Sequence, residues 1–398
     1  MELMKNKLFL LAPIIALTVI FIFSLTLIPT VQPTPKNLPI ALVNEDQGFE
    51  LPNQARLNIG QTIVDMIHEN GNAISEEVPT VNWIEMKSYE EVVSGLNDQL
   101  YYAALIIPSD FSEKQVSLRT PSPATPELHI YINQGMNTMA STVAGQILNG
   151  IVENMNNQLR TQALEEFTQQ GESLTAEQAL SLVTPVAKIV TNVNEIGTNS
   201  ANGNAPVSLF QPLWMASVAG AAIIFLAMTK LGELNRKETL VAKFIQIMMG
   251  AILAFTVGFG LTWLADGLLG LHIPQVMNTA LFLTLTYFCY FLMISAVLSW
   301  LGIRGIALFV LALFFGGPLL ALAPEFMSPF YRDWIYSWLP MRFMVEGLRE
   351  LLFFGKGLGW NSATISLAAI GAGGALLVIA SAFKKNPATA ETTQQNVS

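Results

Sequence analysis

The chain has 398 residues, of which 52% are hydrophobic and only 12% charged, about half the roughly 25% charged fraction usual in soluble domains. That balance excludes a cytosolic multidomain enzyme. One cysteine excludes a disulfide framework and Cys-cluster metal sites, and a net charge of −9 leaves no electrostatic footprint for nucleic acid.

A helix needs about 20 mostly apolar residues to cross the hydrocarbon core of a bilayer. Six segments meet this: residues 8–28, 213–229 (lengthened at its start by 207–210), 244–265, 279–301, 305–323 and 362–383. The first has a basic start, but its apolar run exceeds the about 7–15 residues of a signal peptide. No small-x-small cleavage site follows, so it reads as an uncleaved anchor. Gln211-Pro212 interrupts the start of the second.

Between the first two spans, residues 29–210 hold 7 Lys/Arg and 20 Asp/Glu, against 13 and 9 in the rest of the chain. The acidity belongs to one inserted domain. Pro29 to Pro39 reads as a stiff linker. Residues 38–43 form a strand closed by the turn Asn44-Glu45-Asp46-Gln47-Gly48, and 53–69 a helix with Leu57, Ile59, Ile63, Val64 and Ile67 on one face. Strands follow at 78–84, 101–107 and 128–132, with a capping box Ser88-x-x-Glu91 opening a helix between the first two. Strands alternating with helices predict an α/β lobe over about 38–133. From 136 to 167, Met139, Val143, Ile147, Ile151, Met155, Leu159 and Ala163 recur at helical spacing. Thr175-x-x-Gln178 caps a further helix that is expected to reach Val190, so 136–196 reads as a helical lobe. The Asn/Gly/Ser-rich stretch 197–206 returns to the membrane.

Basic residues in short loops mark the cytoplasmic side. Lys5, Lys7, Lys230, Arg236, Lys237, Lys243, Arg304, Lys384 and Lys385 fall on one side of a six-span path. Both termini are then cytoplasmic and the inserted domain lies outside. The expected fold is a mainly α polytopic membrane protein: six transmembrane helices with a large α/β plus helical extracytoplasmic domain between the first and second. Its parts are 1–28 (N-terminus and first helix), 29–210 (outer domain), 211–383 (five-helix membrane domain) and 384–398 (cytoplasmic tail).

Catalytic chemistry finds no footing. His68, His129 and His272 lack metal-ligand pairing, and neither a Gly-x-Ser-x-Gly elbow nor a Gly-x-x-x-x-Gly-Lys phosphate loop exists. The sequence points to no enzyme, metal or cofactor. The central turns of the spans hold no ionisable residue of the kind that relays protons; Asp266 lies at the end of the third. Their polar content is Thr256, Thr262, Thr284, Thr286, Tyr287 and Tyr290.

Two regions stand apart. The loop 230–243 carries Glu233, Leu234, Arg236, Lys237, Glu238 and Leu240 in a helix-compatible order, and reads either as a positive-inside anchor or as a docking helix for a cytoplasmic partner. The segment 324–359 carries Trp334, Trp338 and Pro340 and then 341–354, which is too short to span. In it Arg342, Glu346, Arg349 and Glu350 recur at helical spacing, as in short helices that dip into the outer leaflet. The alternative there is an interfacial aromatic belt.

Three stretches carry a resemblance: LPIALVNEDQG at 38–48, YYAALIIPSDFS at 101–112 followed by 128–133, and LPMRFMVEGLR at 339–349. Together with the order one span, large outer domain, five spans, they resemble type-2 ABC transporter permeases of the YhgE/Pip, or phage-infection-protein-like, branch. The resemblance implies a permease subunit of an ATP-driven exporter in the bacterial cytoplasmic membrane, moving a drug, peptide or lipid. A separate cytoplasmic ABC ATPase and a second permease subunit, identical or related, would complete it. The loop around 233–240 would be the coupling helix on the ATPase. Residues 341–352, with Pro340, Arg342, Glu346 and Arg349, would line or close the outer exit. On the exporter reading Thr256, Thr262, Thr284 and Tyr287 are the candidates for the translocation path, and membrane lipid is a further partner. The competing reading is a non-transporting surface scaffold or receptor, for a secretion complex or a phage.

Overall fold

The computed structural model describes residues 14–384 apart from 15–16, 19, 22–23, 26–27, 32, 51–55, 74–78, 121, 171–174 and 233. Two compact units emerge: Gln32–Ile196 together with Leu322–Ser328, and the remainder of the chain.

The first unit is built on a five-stranded sheet of order β2-β1-β3-β4-β5. Its central strand β1 (Leu38–Asn44) is parallel to both β2 (Val81–Met86) and β3 (Ala103–Ile107). Strand β4 (Glu127–Asn133) is antiparallel to β3, and β5 (Ala187–Val193) is parallel to β4. Residues of β1 are buried on both faces, which is why 38–43 reads as an unbroken apolar run. Leu38, Ile40 and Leu42 face one core, Ala41 and Val43 the other. The crossover helices take opposite faces. Helix α1 (Ile59–Ala73) seats Ile63, Val64 and Ile67 in the first core, and α2 (Tyr89–Asn97) seats Val92 and Leu96 in the second. A short α3 (Phe111–Ser117) follows β3.

Three expectations are corrected here. The capping box at Ser88 is half formed: Ser88 Oγ accepts from Glu91 N at 3.4 Å, but the Glu91 carboxylate takes the N–H of Lys87 instead of that of Ser88. Helix α5 (Ala176–Val183) has its full Thr175/Gln178 box yet stops seven residues short of Val190. Pro185 cannot donate a helical hydrogen bond and disfavours helical backbone at Thr184, and 187–193 becomes β5. Finally, the described part of 136–196 does not form a helical lobe with a core of its own. Helix α4 (Thr138–Gln170) places Ala140, Ala144, Leu148, Val152 and Met155 in the same core as β1, β3 and β4.

The segment Leu322–Ser328 completes this unit. Ala323 and Phe326 are 1% and 5% exposed and belong to the first core. Lys36 N donates to Glu325 O at 2.9 Å.

In the second unit, four stretches among the described residues are long and apolar enough to cross a membrane: Ala205–Thr229, Arg236–Leu268, Val276–Ala321 and Ser362–Phe383. Helix α6 (Ala205–Thr229) runs through Pro212, so Gln211-Pro212 does not delay its start. Helix α7 (Arg236–Trp263) continues into a wider turn at Leu264–Leu268. The long third stretch comprises α8 (Val276–Leu301) and α9 (Ile306–Ala321), parted at Gly302, whose φ of +70° suits glycine. Helix α10 (Pro340–Phe353) is followed by α11 (Ser362–Ala380). The expected first span lies largely outside the described residues, as do Lys5, Lys7 and the tail from 385. Those described between Ile14 and Val31 are helical.

With lipid outside and little hydrophobic drive between helices, small residues allow backbones to approach. A methyl group on Gly258 of α7 would lie 2.7 Å from Thr284 Cα of α8, and one on Gly374 of α11 would lie 2.8 Å from the Leu292 carbonyl carbon. Trp214 is fully buried, edge-on to Tyr290 at 5.0 Å between ring centres, with Nε1 donating to Phe309 O at 3.2 Å.

Candidate functional site

The charged end of α7 is set by its own sequence. Asn235 caps the helix: its Oδ1 accepts from Glu238 N at 2.9 Å while Glu238 Oε2 accepts from Asn235 N at 2.9 Å. Glu238 therefore serves the cap. Arg236 and Lys237 occupy the first turn of the same helix, so among the described residues they extend the membrane helix itself. Both are exposed, and neither forms an ion pair among the described residues. Cations at a helix N-terminus oppose its dipole, so two unpaired ones there lower local stability. Leu234 and Leu240 are half-buried, Leu231 and Val241 exposed; Glu233 lies outside the described residues.

About two turns further along, Lys243 Nζ donates to Ser299 Oγ of α8 at 3.1 Å and to Gln246 Oε1 at 3.4 Å. Gln246 is 1% exposed, and its Nε2 has no hydrogen-bond partner among the described residues. Sequence reasoning passed over Gln246. The available signal was the lone amide inside the apolar run 244–265, where a polar side chain is costly unless partnered.

The four residues assigned to a path do not converge on one polar surface. Thr262 Oγ1 donates to Gly258 O, Thr284 Oγ1 to Ala280 O and Thr256 Oγ1 to Ile252 O, at 2.8, 2.8 and 3.0 Å. Each satisfies its hydroxyl on its own helix, as Thr commonly does. Tyr287 reaches Ala216 O of α6 at 3.3 Å and stacks on Phe291. Thr262, Thr284 and Tyr287 are buried, whereas Thr256 is exposed.

Helix α10 is amphipathic. Pro340 opens it, and the Pro340 carbonyl accepts from Tyr290 Oη at 3.2 Å. Met341, Met344, Val345, Leu348 and Leu351 are buried. The opposite side carries Arg342, Glu346 and Arg349. Arg342 Nε lies 3.7 Å from Glu346 Oε1, and the guanidinium sits over the Phe343 and Tyr336 rings at 4.8 and 5.5 Å. Arg349 is half-buried, and its Nε is enclosed without a hydrogen-bond acceptor among the described residues. The Glu350 carboxylate accepts from Asn361, which caps α11. Exposed Trp334, Trp338 and Trp360 flank this helix in the sequence, a composition typical of a membrane–water interface. No group of three or more metal-ligating side chains occurs among the described residues.

Long apolar helices joined by glycine-mediated contacts, in a chain that also folds a sheet-containing unit, define a multi-pass membrane protein. Residues 7–383 match the family described as "ABC-2 family transporter protein", and the chain belongs to that family. A 129-residue stretch is 24% identical to the "Uncharacterized protein YhgE" of Bacillus subtilis (strain 168). That stretch is 32% of this chain and spans only 16% of that relative's length. This places the chain's likeness in the YhgE-like branch. No solved structure matches significantly.

Proposed function

We propose that the protein is the permease subunit of an ATP-driven exporter for an amphipathic or hydrophobic compound such as a drug, peptide or lipid. The family match over 7–383 carries this reading. In it, the chain crosses the bacterial cytoplasmic membrane six times, with both termini inside and the sheet-containing unit inserted outside between the first and second spans. Two permease subunits pair with two cytoplasmic ATPase subunits. Arg236 and Lys237, exposed and without an ion pair among the described residues, support a docking role for the start of α7 and the loop before it, since they offer cationic contacts to a partner. Their fixed place on α7 and the Lys243–Ser299 contact let a push on the loop travel along α7 to α8. Helix α10, at 14 residues, is too short to cross and is read as re-entrant at the outer exit, with Arg342, Glu346 and Arg349 on its polar side.

The test is purification of the tagged protein in mild detergent from its native cell, with mass spectrometry of co-purifying chains. A stoichiometric ATP-binding subunit, with hydrolysis stimulated by the transported compound, is the expected result. Envelope or secretion proteins without any ATPase would overturn it in favour of a surface scaffold.

A further inference from the structure

The two edges of the sheet differ. Edge β2 turns Val81, Trp83 and Ile84 partly inward, and its Glu85 is paired with His68 at 2.9 Å. Among the described residues edge β5 pairs with no strand on its outer side, and Lys188 to Asn192 are all exposed, including Ile189 at 40% and Val190 at 45%. The exposed Val183, at the end of α5, lines with Lys188 a hollow beside the strand.

The backbone of β5 says what could cover it. Ala187 N donates to Pro126 O, and Val193 O accepts from Gln134 N. In a parallel ladder alternate residues turn both backbone groups to the same neighbour, so 187, 189, 191 and 193 face β4. The N–H and C=O groups of Lys188, Val190 and Asn192 therefore face the open edge, which suits an extended chain and nothing else so well.

We propose that this edge pairs with β5 of a second copy, antiparallel and centred on Val190, joining the two sheets. The proposal rests on the two-permease reading, which holds two β5 strands at high effective concentration. The strand is self-complementary in this register. Val190 meets the partner's Val190, and Lys188 meets the partner's Asn192, in hydrogen-bonded pairs that satisfy all the outward backbone groups. Lys188 is the strand's only charge, and the two copies of it stand about 14 Å apart along the ladder, so like charges are not opposed. Ile189 and Val190 lose their exposure. One strand pair is too small to hold a dimer on its own against the roughly 1,200 Å² of stable interfaces, so it adds to an assembly held elsewhere.

The test uses the full-length protein in native membranes. Cα atoms of a hydrogen-bonded antiparallel pair lie about 5.5 Å apart, within disulfide range. On oxidation Val190→Cys should run mostly as a covalent dimer. Lys188→Cys and Asn192→Cys should remain monomeric when each is expressed alone and cross-link when co-expressed on differently tagged chains. The wild type, whose one cysteine, Cys289, is buried, supplies the uncross-linked control. Absence of the Val190→Cys dimer in protein that is dimeric by native mass would overturn the strand pairing and leave the two-permease reading standing. Absence of both the cross-link and the dimer would overturn both. A Val190→Cys adduct of a different mass would give the edge to another chain and overturn self-pairing.

Discussion

Tyr102 donates its phenolic hydrogen to Glu325 Oε2 at 2.8 Å across 223 residues of sequence. Both lie in the sheet-containing unit, where Glu325 also accepts the Lys36 N–H through its carbonyl. One residue of Leu322–Ser328 thus holds the linker that leads into β1 and the strand end at Tyr102, while its neighbour Phe326 fills the core between them.

Removing this anchor should loosen the unit by two separable amounts. Tyr102→Phe keeps the ring and loses a charge-assisted hydrogen bond, costing about 1.5–3 kcal/mol. Phe326→Ala opens a cavity and should cost about 3–5 kcal/mol. Limited proteolysis of the intact protein should show cleavage near 322–328 accelerating in that order. Equal resistance in both variants would mean that the segment is merely laid on the surface.

Asp46, 8% exposed, ties α1 to α3. Its Oδ2 accepts from Gly60 N at 3.0 Å and from the Ser112 hydroxyl, and its Oδ1 from Ser112 N at 2.9 Å. Asp46→Ala leaves those donors buried without an acceptor and should destabilise the unit by about 2–4 kcal/mol. Gly60→Ala should fail similarly, since the new methyl would lie 2.6 Å from Asp46 Cβ. Denaturation followed by the fluorescence of Trp83 against that of the membrane tryptophans would check both; unchanged midpoints would contradict the tie.

The turn Asn44–Gly48 was legible as a turn but not as this tie, because Gly60 and Ser112 are brought to it by the fold. Strands β1, β3 and β4 could be read because their apolar runs end at Asn44, Pro108 and Asn133; the run read for β2 ends at Glu85 with no such stop, and the strand itself lies at Val81–Met86. Strand β5 could not: Leu182, Val186, Ile189 and Val190 keep a helical spacing, and only Pro185 argued against it. The stripe on α4 reported that a face was buried without saying against what, which is how one core was divided into two lobes. In the membrane unit the apolar lengths were sufficient to find the helices described. The path residues were chosen for polarity alone, and the structure spends those hydroxyls on backbone carbonyls.

Gly373 and Gly374 make an internal control on α11. A methyl on Gly373 meets nothing within 4 Å, whereas one on Gly374 meets the Leu292 and Met293 backbone at 2.8–2.9 Å. Gly374→Ala should push α11 from α8 and lower the yield of monodisperse protein severalfold. Gly373→Ala should leave it unchanged or slightly better, since alanine favours helix by up to ~1 kcal/mol. Size-exclusion profiles of the two variants decide it, and equal yields would refute the close α8–α11 approach.

Arg236 and Lys237 set stability against coupling. Reversing both to glutamate places acids at the N-terminus of α7, where each interacts favourably with the helix dipole by about 0.3–1 kcal/mol; Asn235 and Glu238 still close the cap. The purified double variant should therefore unfold at an equal or slightly higher temperature than the wild type. If these cations contact an ATPase, the same variant should recover that subunit at least tenfold less well and lose export. A purely topological role predicts a different pair of outcomes: weakened retention of the loop on the cytoplasmic side, seen by labelling a cysteine placed at Leu231, with ATPase recovery falling only as insertion falls. Full recovery of the ATPase with correct topology would remove the docking role from these two residues, because the charge they present would have been reversed without consequence.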